Sequence, residues 1–289
     1  MYPELNELIS YIASRWLFTK VYSNGMALTE VTLRELKKSW LTEIIIHIDM
    51  YQDLPGYIGK NEKDLNVLRQ KYVDLIKIVG WVNLGFIMPI SRWNIEYLPD
   101  ILEFYRRNID EINLIVFTTL KDPNGNDGTA ITCEYLSEQI GKYISYSPSS
   151  YLPKVKNPDQ AAWLFSMWFW NNDTYFGDVD AHLYESIVKR YYKKWWKYFI
   201  TRKKKKISIF SMLPLIFQPS GFNIIKSILN SKNKDIYYQV ILIIDPPDKV
   251  GDWCEACPDM MYVWDKLYPS CMANTLKEFK MKFLKKWTE

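Results

Sequence analysis

Four times in the first 120 residues, a stretch of helical period gives way to a short apolar run rich in β-branched residues. PELNELISYIASR (3–15) leads to LFTKVYS (17–23), and TEVTLRELKKS (29–39) leads to LTEIIIHIDM (41–50). NEKDLNVLRQKYVDLIKIV (61–79) precedes VNLGFIMPI (82–90), and LPDILEFYRRN (98–108) precedes EINLIVFTTL (111–120). Apolar positions recurring at 3–4 spacing mark a helix with one buried face, and short continuous apolar runs mark strands buried on both faces. Helix and strand alternating over short loops predict an α/β fold of parallel βα units with right-handed crossovers. Polar groups at the carboxyl ends of such strands are the first place to look for a site. The residues there are Ser23, Asn24, Asp49, Pro89, Ser91, Arg92, Thr118 and Thr119, each of which is also explained by turn chemistry or helix capping.

Tryptophan stands where such units usually place glycine. In SRW (14–16) and KSW (38–40) it follows a helix at the left-handed position, where Cβ is penalised, and Trp196 is a third case. Either these helices end without a left-handed cap, or the sequence has drifted under weak constraint.

Beyond residue 120 the pattern loosens. A polar Gly/Asn/Asp loop precedes a helix near 129–144, and 151–175 reads as aromatic and loop-rich. Residues 181–206 read as a helix mixing aromatics with cations, 220–231 as a short helix, and YYQVILIID (237–245) as one more buried strand. Three regions are expected: 1–125, a helix-rich aromatic 126–245 continuing the core, and a cysteine-bearing 246–289.

Charge and composition exclude several classes. With 37 basic and 33 acidic residues the net charge is +4, too small for a dedicated nucleic-acid binder. The basic run Arg202–Lys206 near Tyr191, Tyr192, Trp195, Trp196, Tyr198 and Phe199 fits a base-stacking surface, but fits a solvated helix end better. No signal peptide is evident, and AAWLFSMWFW (161–170) and ISIFSMLPLIF (207–217) are about half the ~20 residues that span a bilayer. A cytoplasmic chain is expected, with no nucleic-acid or membrane partner. Among 289 residues there is no GxSxG, GxxxxGK[ST], HExxH or EF-hand loop. His47, inside an apolar strand, reads as a core histidine, and His182 has no triad grammar around it.

The sharpest local signal is DWCEACPDMMYVWDKLYPSCM (252–272). A CxxC turn brings two thiolates together, and soft thiolates select zinc or iron–sulfur iron. Cys254, Cys257 and Cys271 supply three ligands. Cys133, Asp259, His182 or an open position remain for the fourth, and a redox dithiol or plain reduced thiols fit the same residues.

Taken together, YPELNELISYIASR, VYSNGMALTE, LRELKKSWLTEIIIHIDMYQ and VNLGFIMPIS resemble the middle of a radical S-adenosylmethionine (SAM) domain. The resemblance covers roughly residues 1–120, with WCEACPD and PSC similar to the auxiliary-cluster segments of several such enzymes. It implies a partial (β/α) barrel of the radical SAM type with a mixed, helix-rich C-terminal region. It also implies Asn24, Asp49 and Asn83 facing the SAM pocket, and an auxiliary [4Fe–4S] cluster on Cys254, Cys257 and Cys271. The family's CxxxCxxC loop does not occur in this sequence, so the resemblance implies no radical generation from this chain. The expectation is a truncated, split or decayed member acting on a small-molecule or unknown substrate, with a partner chain able to supply missing barrel strands. The competing reading is a non-enzymatic α/β binding protein with a structural zinc site in its tail.

Overall fold

The computed structural model describes residues 3–52, 54–120, 130–144, 146–154, 157–171, 174–195, 206–207, 209–212, 216–232, 235–245, 260–263 and 266–269. The four βα repeats are present in order. Helix α1 (Leu5–Ser14) leads to β1 (Lys20–Ser23), α2 (Glu30–Lys38) to β2 (Glu43–His47), α3 (Asn66–Val79) to β3 (Asn83–Ile90), and α4 (Leu98–Arg107) to β4 (Ile112–Thr119). Strands β1 to β4 lie side by side in sequence order and pair parallel throughout. Alternation along each strand decides what is buried where. Ile44, Ile46, Leu84, Phe86, Met88, Ile115 and Phe117 form one core with Leu33, Leu36, Val73, Ile76, Ile101 and Tyr105 of the helices.

The remainder is richer in strand than the sequence led us to expect. After α5 (Cys133–Gly141) come β5 (Ser150–Pro153), β6 (Ala161–Trp170) and β7 (Tyr175–Asp178). Then follow α6 (Ala181–Trp195), β8 (Lys206–Ile207), α7 (Ile209–Met212), α8 (Pro219–Asn230) and β9 (Ile236–Ile244). Strand β9 pairs parallel with β4 and antiparallel with β6, giving a nine-stranded mixed sheet with the main order β1-β2-β3-β4-β9-β6-β5. The stretch read as a loop contains β6, whose AAWLFSMWFW is buried on both faces. Leu164, Trp168 and Trp170 join the first core, while Met167 and Phe169 join a second with Leu183, Met212, Ile224, Ile225 and Ile228. Side chains from α6, α7 and α8 therefore cover the face of β6 and β9 opposite α4 and α5. The region from 126 to 245 continues the sheet of the first 125 residues, with five strands as well as helices among its described residues.

Both early helices do end on a left-handed tryptophan. Trp16 has φ 60° and Trp40 φ 76°. Their hydrogen bonds form Schellman closures: Leu17 N–H donates to the Ile12 carbonyl and Trp16 N–H to Ala13, and Leu41 N–H donates to Leu36 and Trp40 N–H to Lys37. The third case is Trp81 (φ 68°), which follows Gly80 at the end of α3, while Trp196 lies outside the described residues. These are the three positive-φ residues other than glycine among those described, and each carries a strain of about 1 kcal/mol or more.

Strands β10 (Met260–Val263) and β11 (Lys266–Pro269) form a separate antiparallel hairpin with Met260 opposite Pro269. Among the described residues, no helix is long and apolar enough to cross a membrane.

Candidate functional site at the carboxyl rim

Parallel strands align their carboxyl ends on one rim, and here that rim runs from Ser23 through His47, Ile90 and Thr119 to Asp245. At the first strand, Gly25 N–H donates to Ser23 Oγ at 3.0 Å and Met26 N–H to Asn24 Oδ1 at 3.1 Å. Asn24 thus shapes the turn that lifts the chain from β1 toward α2. Gly25 (φ +76°) sits against Tyr72, and no side chain would fit between them.

At the second strand, alternation buries Ile46 and Ile48 toward the helices and turns His47 to the other face. His47 is accordingly 46% exposed rather than a core histidine. Its Nε2–H donates to Asp49 Oδ2 at 2.6 Å, while Asp49 is 2% exposed. Asp49 also accepts from the Tyr51 N–H at 2.8 Å and from Gln52 Nε2 at 2.8 Å. Burial opposes ionisation of Asp49, but the hydrogen bond and charge of His47 and the hydrogen bonds from the Tyr51 N–H and the Gln52 amide hold its carboxyl below the ordinary range. A carboxylate that fixes an exposed imidazole is the arrangement of a general acid–base pair.

The sign of that shift sets a pH dependence. A carboxyl whose folded pKa is depressed stabilises the fold above its unfolded pKa, near 3.9, and loses that contribution as pH falls through the folded value. Asp49→Asn should therefore flatten the acid limb, narrowing the stability difference between about pH 6 and about pH 3. Urea titrations at both pH values check this; an unchanged acid limb would remove Asp49 from the account.

Beneath the second and third strands lies a polar knot that the strand ends alone do not reveal. Glu62 and Arg69 are both wholly buried and paired through Arg69 Nη2 and Glu62 Oε2. Arg69 also donates to the Glu62 carbonyl at 2.7 Å, the Ile48 carbonyl at 3.0 Å and Asn66 Oδ1 at 2.8 Å. Glu62 Oε1 accepts from Met50 N–H at 2.9 Å and Asn94 Nδ2 at 3.3 Å. Asn94 donates in turn to the Pro89 carbonyl and accepts from Ser91 N–H. Tyr51 Oη and Ser91 Oγ meet at 2.7 Å, joining the segments that follow β2 and β3. The sequence signal for the knot is a cation on the apolar stripe of α3, where Arg69 shares a face with Leu65, Tyr72, Val73 and Ile76.

At the far end of the rim, Thr119 Oγ1 donates to Asp245 Oδ1 at 2.6 Å and Lys154 Nζ lies 2.6 Å from Asp245 Oδ2. Thr119 was legible as a strand-end residue, whereas Asp245 and Lys154 reach it only through the insertion of β9 next to β4.

The residues expected to share a cofactor pocket are not brought together. Asn24 and Asp49 stand on the carboxyl rim, but Asn83 begins β3 at the opposite rim, buried and opposite Glu43. The registry explains this: the strand read as 82–90 points its last residues, not its first, toward the site. Cys133, one candidate for a fourth metal ligand, is wholly buried in the first core, with Sγ donating to the Ala162 carbonyl at 3.6 Å. His182 is exposed at the start of α6. Cys254, Cys257, Cys271 and Asp259 lie outside the described residues, as does most of the basic run Arg202–Lys206. Among the described residues, no group of three or more His, Cys, Asp or Glu side chains is placed to hold a metal ion. The hairpin of β10 and β11, with Met260 opposite Pro269, lies between Cys257 and Cys271 in sequence.

No protein-family model and no curated protein matches this chain.

Proposed function

We propose that the chain is an iron–sulfur protein of the radical SAM type, with a partial (β/α) barrel and an auxiliary cluster on Cys254, Cys257 and Cys271, and that it generates no radical by itself. The observation that carries this reading is the winding of the sheet: β1 to β4 follow one another in order, all parallel, each after its own helix, with β9 extending the parallel run. In-order right-handed crossovers place α2, α3 and α4 on one face of β1 to β4, as barrel-type folds require, whereas doubly wound sheets reverse direction; the helices on the opposite face, α6 to α8, cover β6 and β9 only. The cysteine part rests on the CxxC spacing and on the hairpin that lies between Cys257 and Cys271 in sequence.

The carboxyl rim fits a polar small molecule through its hydroxyl, amide and carboxylate groups, with His47 and Asp49 able to move a proton between a bound group and the protein. Asn24 and Asp49 are already engaged by their own turns, and Asn83 lies at the other rim, so the donor set for SAM is incomplete. That observation favours the second reading, a non-enzymatic α/β binding protein whose tail holds structural zinc.

Anaerobic purification with iron, sulfide and zinc quantified separates the two. The expected result is about four iron and four sulfide per chain, lost in Cys254→Ala, Cys257→Ala and Cys271→Ala, with no 5′-deoxyadenosine formed from SAM. Zinc in a colourless protein would replace the first reading by the second, and 5′-deoxyadenosine made by this chain alone would end the claim of inactivity.

A further inference from the structure

The rim opposite the candidate site carries Trp16, Trp40 and Trp81. Each follows the helix that leads into its own strand, and those strands are neighbours, with Lys20 opposite Glu43 and Glu43 opposite Asn83. The indoles therefore succeed one another along the amino ends of β1, β2 and β3. They are 85%, 64% and 60% exposed, and all three are held at positive φ, where glycine would sit without strain. Helix capping needs the backbone conformation at Trp16 and Trp40, and at α3 it is supplied by Gly80, one residue before Trp81.

The exposed residues nearest them in sequence are apolar and cationic. Leu17 directly follows the first indole and Ile78 lies three residues before the third, both more than half exposed. Arg15, Lys38 and Lys77 are exposed in or just beyond the last turns of α1, α2 and α3. Lys37 Nζ donates to the Val79 carbonyl at 2.7 Å, tying the ends of α2 and α3 together. The carboxylate of Glu43 is buried beneath Lys20, Glu35 and Asp74 are exposed farther back on α2 and α3, and Asp110 and Glu111 lie beyond Trp81, ahead of β4.

We propose that this amino rim docks on an anionic lipid bilayer, with the three indoles at the headgroup boundary and Arg15, Lys38 and Lys77 over lipid phosphates. Indole is the side chain that partitions best into the membrane–water interface, and cations beside it are drawn to an anionic leaflet. Several exposed aromatics acting together supply the apolar part of a reversible peripheral attachment. A single-stranded nucleic acid would use the same indoles and cations, but Leu17 and Ile78 offer no face for stacking, whereas lipid chains accept them. Docking at this end leaves the carboxyl rim facing solution.

Flotation of the full chain with phosphatidylcholine vesicles, with and without phosphatidylglycerol, tests the proposal. The protein should float with the phosphatidylglycerol vesicles and be partly released by salt. The variant W16G/W40G/W81G should bind at least about tenfold more weakly, with a urea midpoint no lower than the parent's, because glycine suits all three backbone conformations. A second variant, K38E/K77E, should lose binding to the same vesicles with its fold intact, which keeps the test open if the triple variant misfolds. The proposal fails if the parent does not float with anionic vesicles, or if neither variant weakens binding. It also fails if the triple substitution instead abolishes binding to oligothymidylate or self-association in gel filtration.

Discussion

Arg69→Met is expected to destabilise the protein by about 3–5 kcal/mol, one of the two largest effects expected of a single substitution here. The change removes the partner of a wholly buried carboxylate, Glu62, and leaves the Ile48 and Glu62 carbonyls and Asn66 without their donor. The remaining partners of Glu62, the Met50 N–H and Asn94, are neutral and do not compensate a full charge. Removing both charges is far milder, because an apolar pair of similar volume avoids the desolvation that the ion pair had to overcome. Arg69→Met combined with Glu62→Leu should therefore recover much of the loss, and the interaction energy from the double-mutant cycle isolates the pair. Urea denaturation of the four proteins makes the measurement; a single-mutant loss under about 1 kcal/mol would mean that the knot relaxes or admits water.

Gly25→Ala is the second, with an expected cost of about 2–4 kcal/mol from two sources. At φ +76° an L side chain is strained, and its Cβ would lie 2.5 Å from Tyr72 Oη and 2.6 Å from Cζ. Tyr72 cannot swing aside at low cost, since it is 4% exposed within the first core on α3. Shortening the neighbour in Gly25→Ala/Tyr72→Leu removes the clash and leaves the backbone strain. Its cost beyond that of Tyr72→Leu alone should fall to about 1–2 kcal/mol. Equal costs of Gly25→Ala in the two backgrounds would show that the ring is not the obstacle.

The first 120 residues were legible because periodicity and turn chemistry agree there. TEVTLRELKKS has Thr29 accepting from Thr32 N–H at its start and apolar Leu33 and Leu36 on one face, and it forms α2 between Glu30 and Lys38. LTEIIIHIDM is buried on both faces over its β-branched centre and forms β2. Periodicity carries no information about which strand neighbours which when they are distant in sequence. The pairing of β4 with β9, and of β9 with β6, was invisible for that reason, and with it the meeting of Thr119, Lys154 and Asp245. β6 was misread because its run of Trp, Phe and Leu has no polar alternation, which is what a strand packed on both sides looks like. Asn24 and Asp49 were found where parallel strands end. Asn83 was not at that rim, because a residue at the start of a strand lies a full strand length from its carboxyl end. Glu62 and Arg69 were missed because neither is at a strand end, although an arginine on the buried stripe of a helix announces a buried partner.

The position of β9 also fixes an order of events during synthesis. The βα units from α1 to β4 are contiguous in sequence, so their contacts close short loops and can form as the chain emerges. Strand β4 must then wait for Val240–Ile244, since Thr118 and Ile244 are register partners. During that interval the hydrogen-bonding edge of β4 and the apolar faces of β6 have no β9 to receive them, and an open parallel edge is a template for the wrong strand. Ribosome-bound chains ending before residue 236 should thus engage chaperones that release once β9 has emerged and paired with β4, which leaves the exposed edge of β4 as the liability of an unfinished chain.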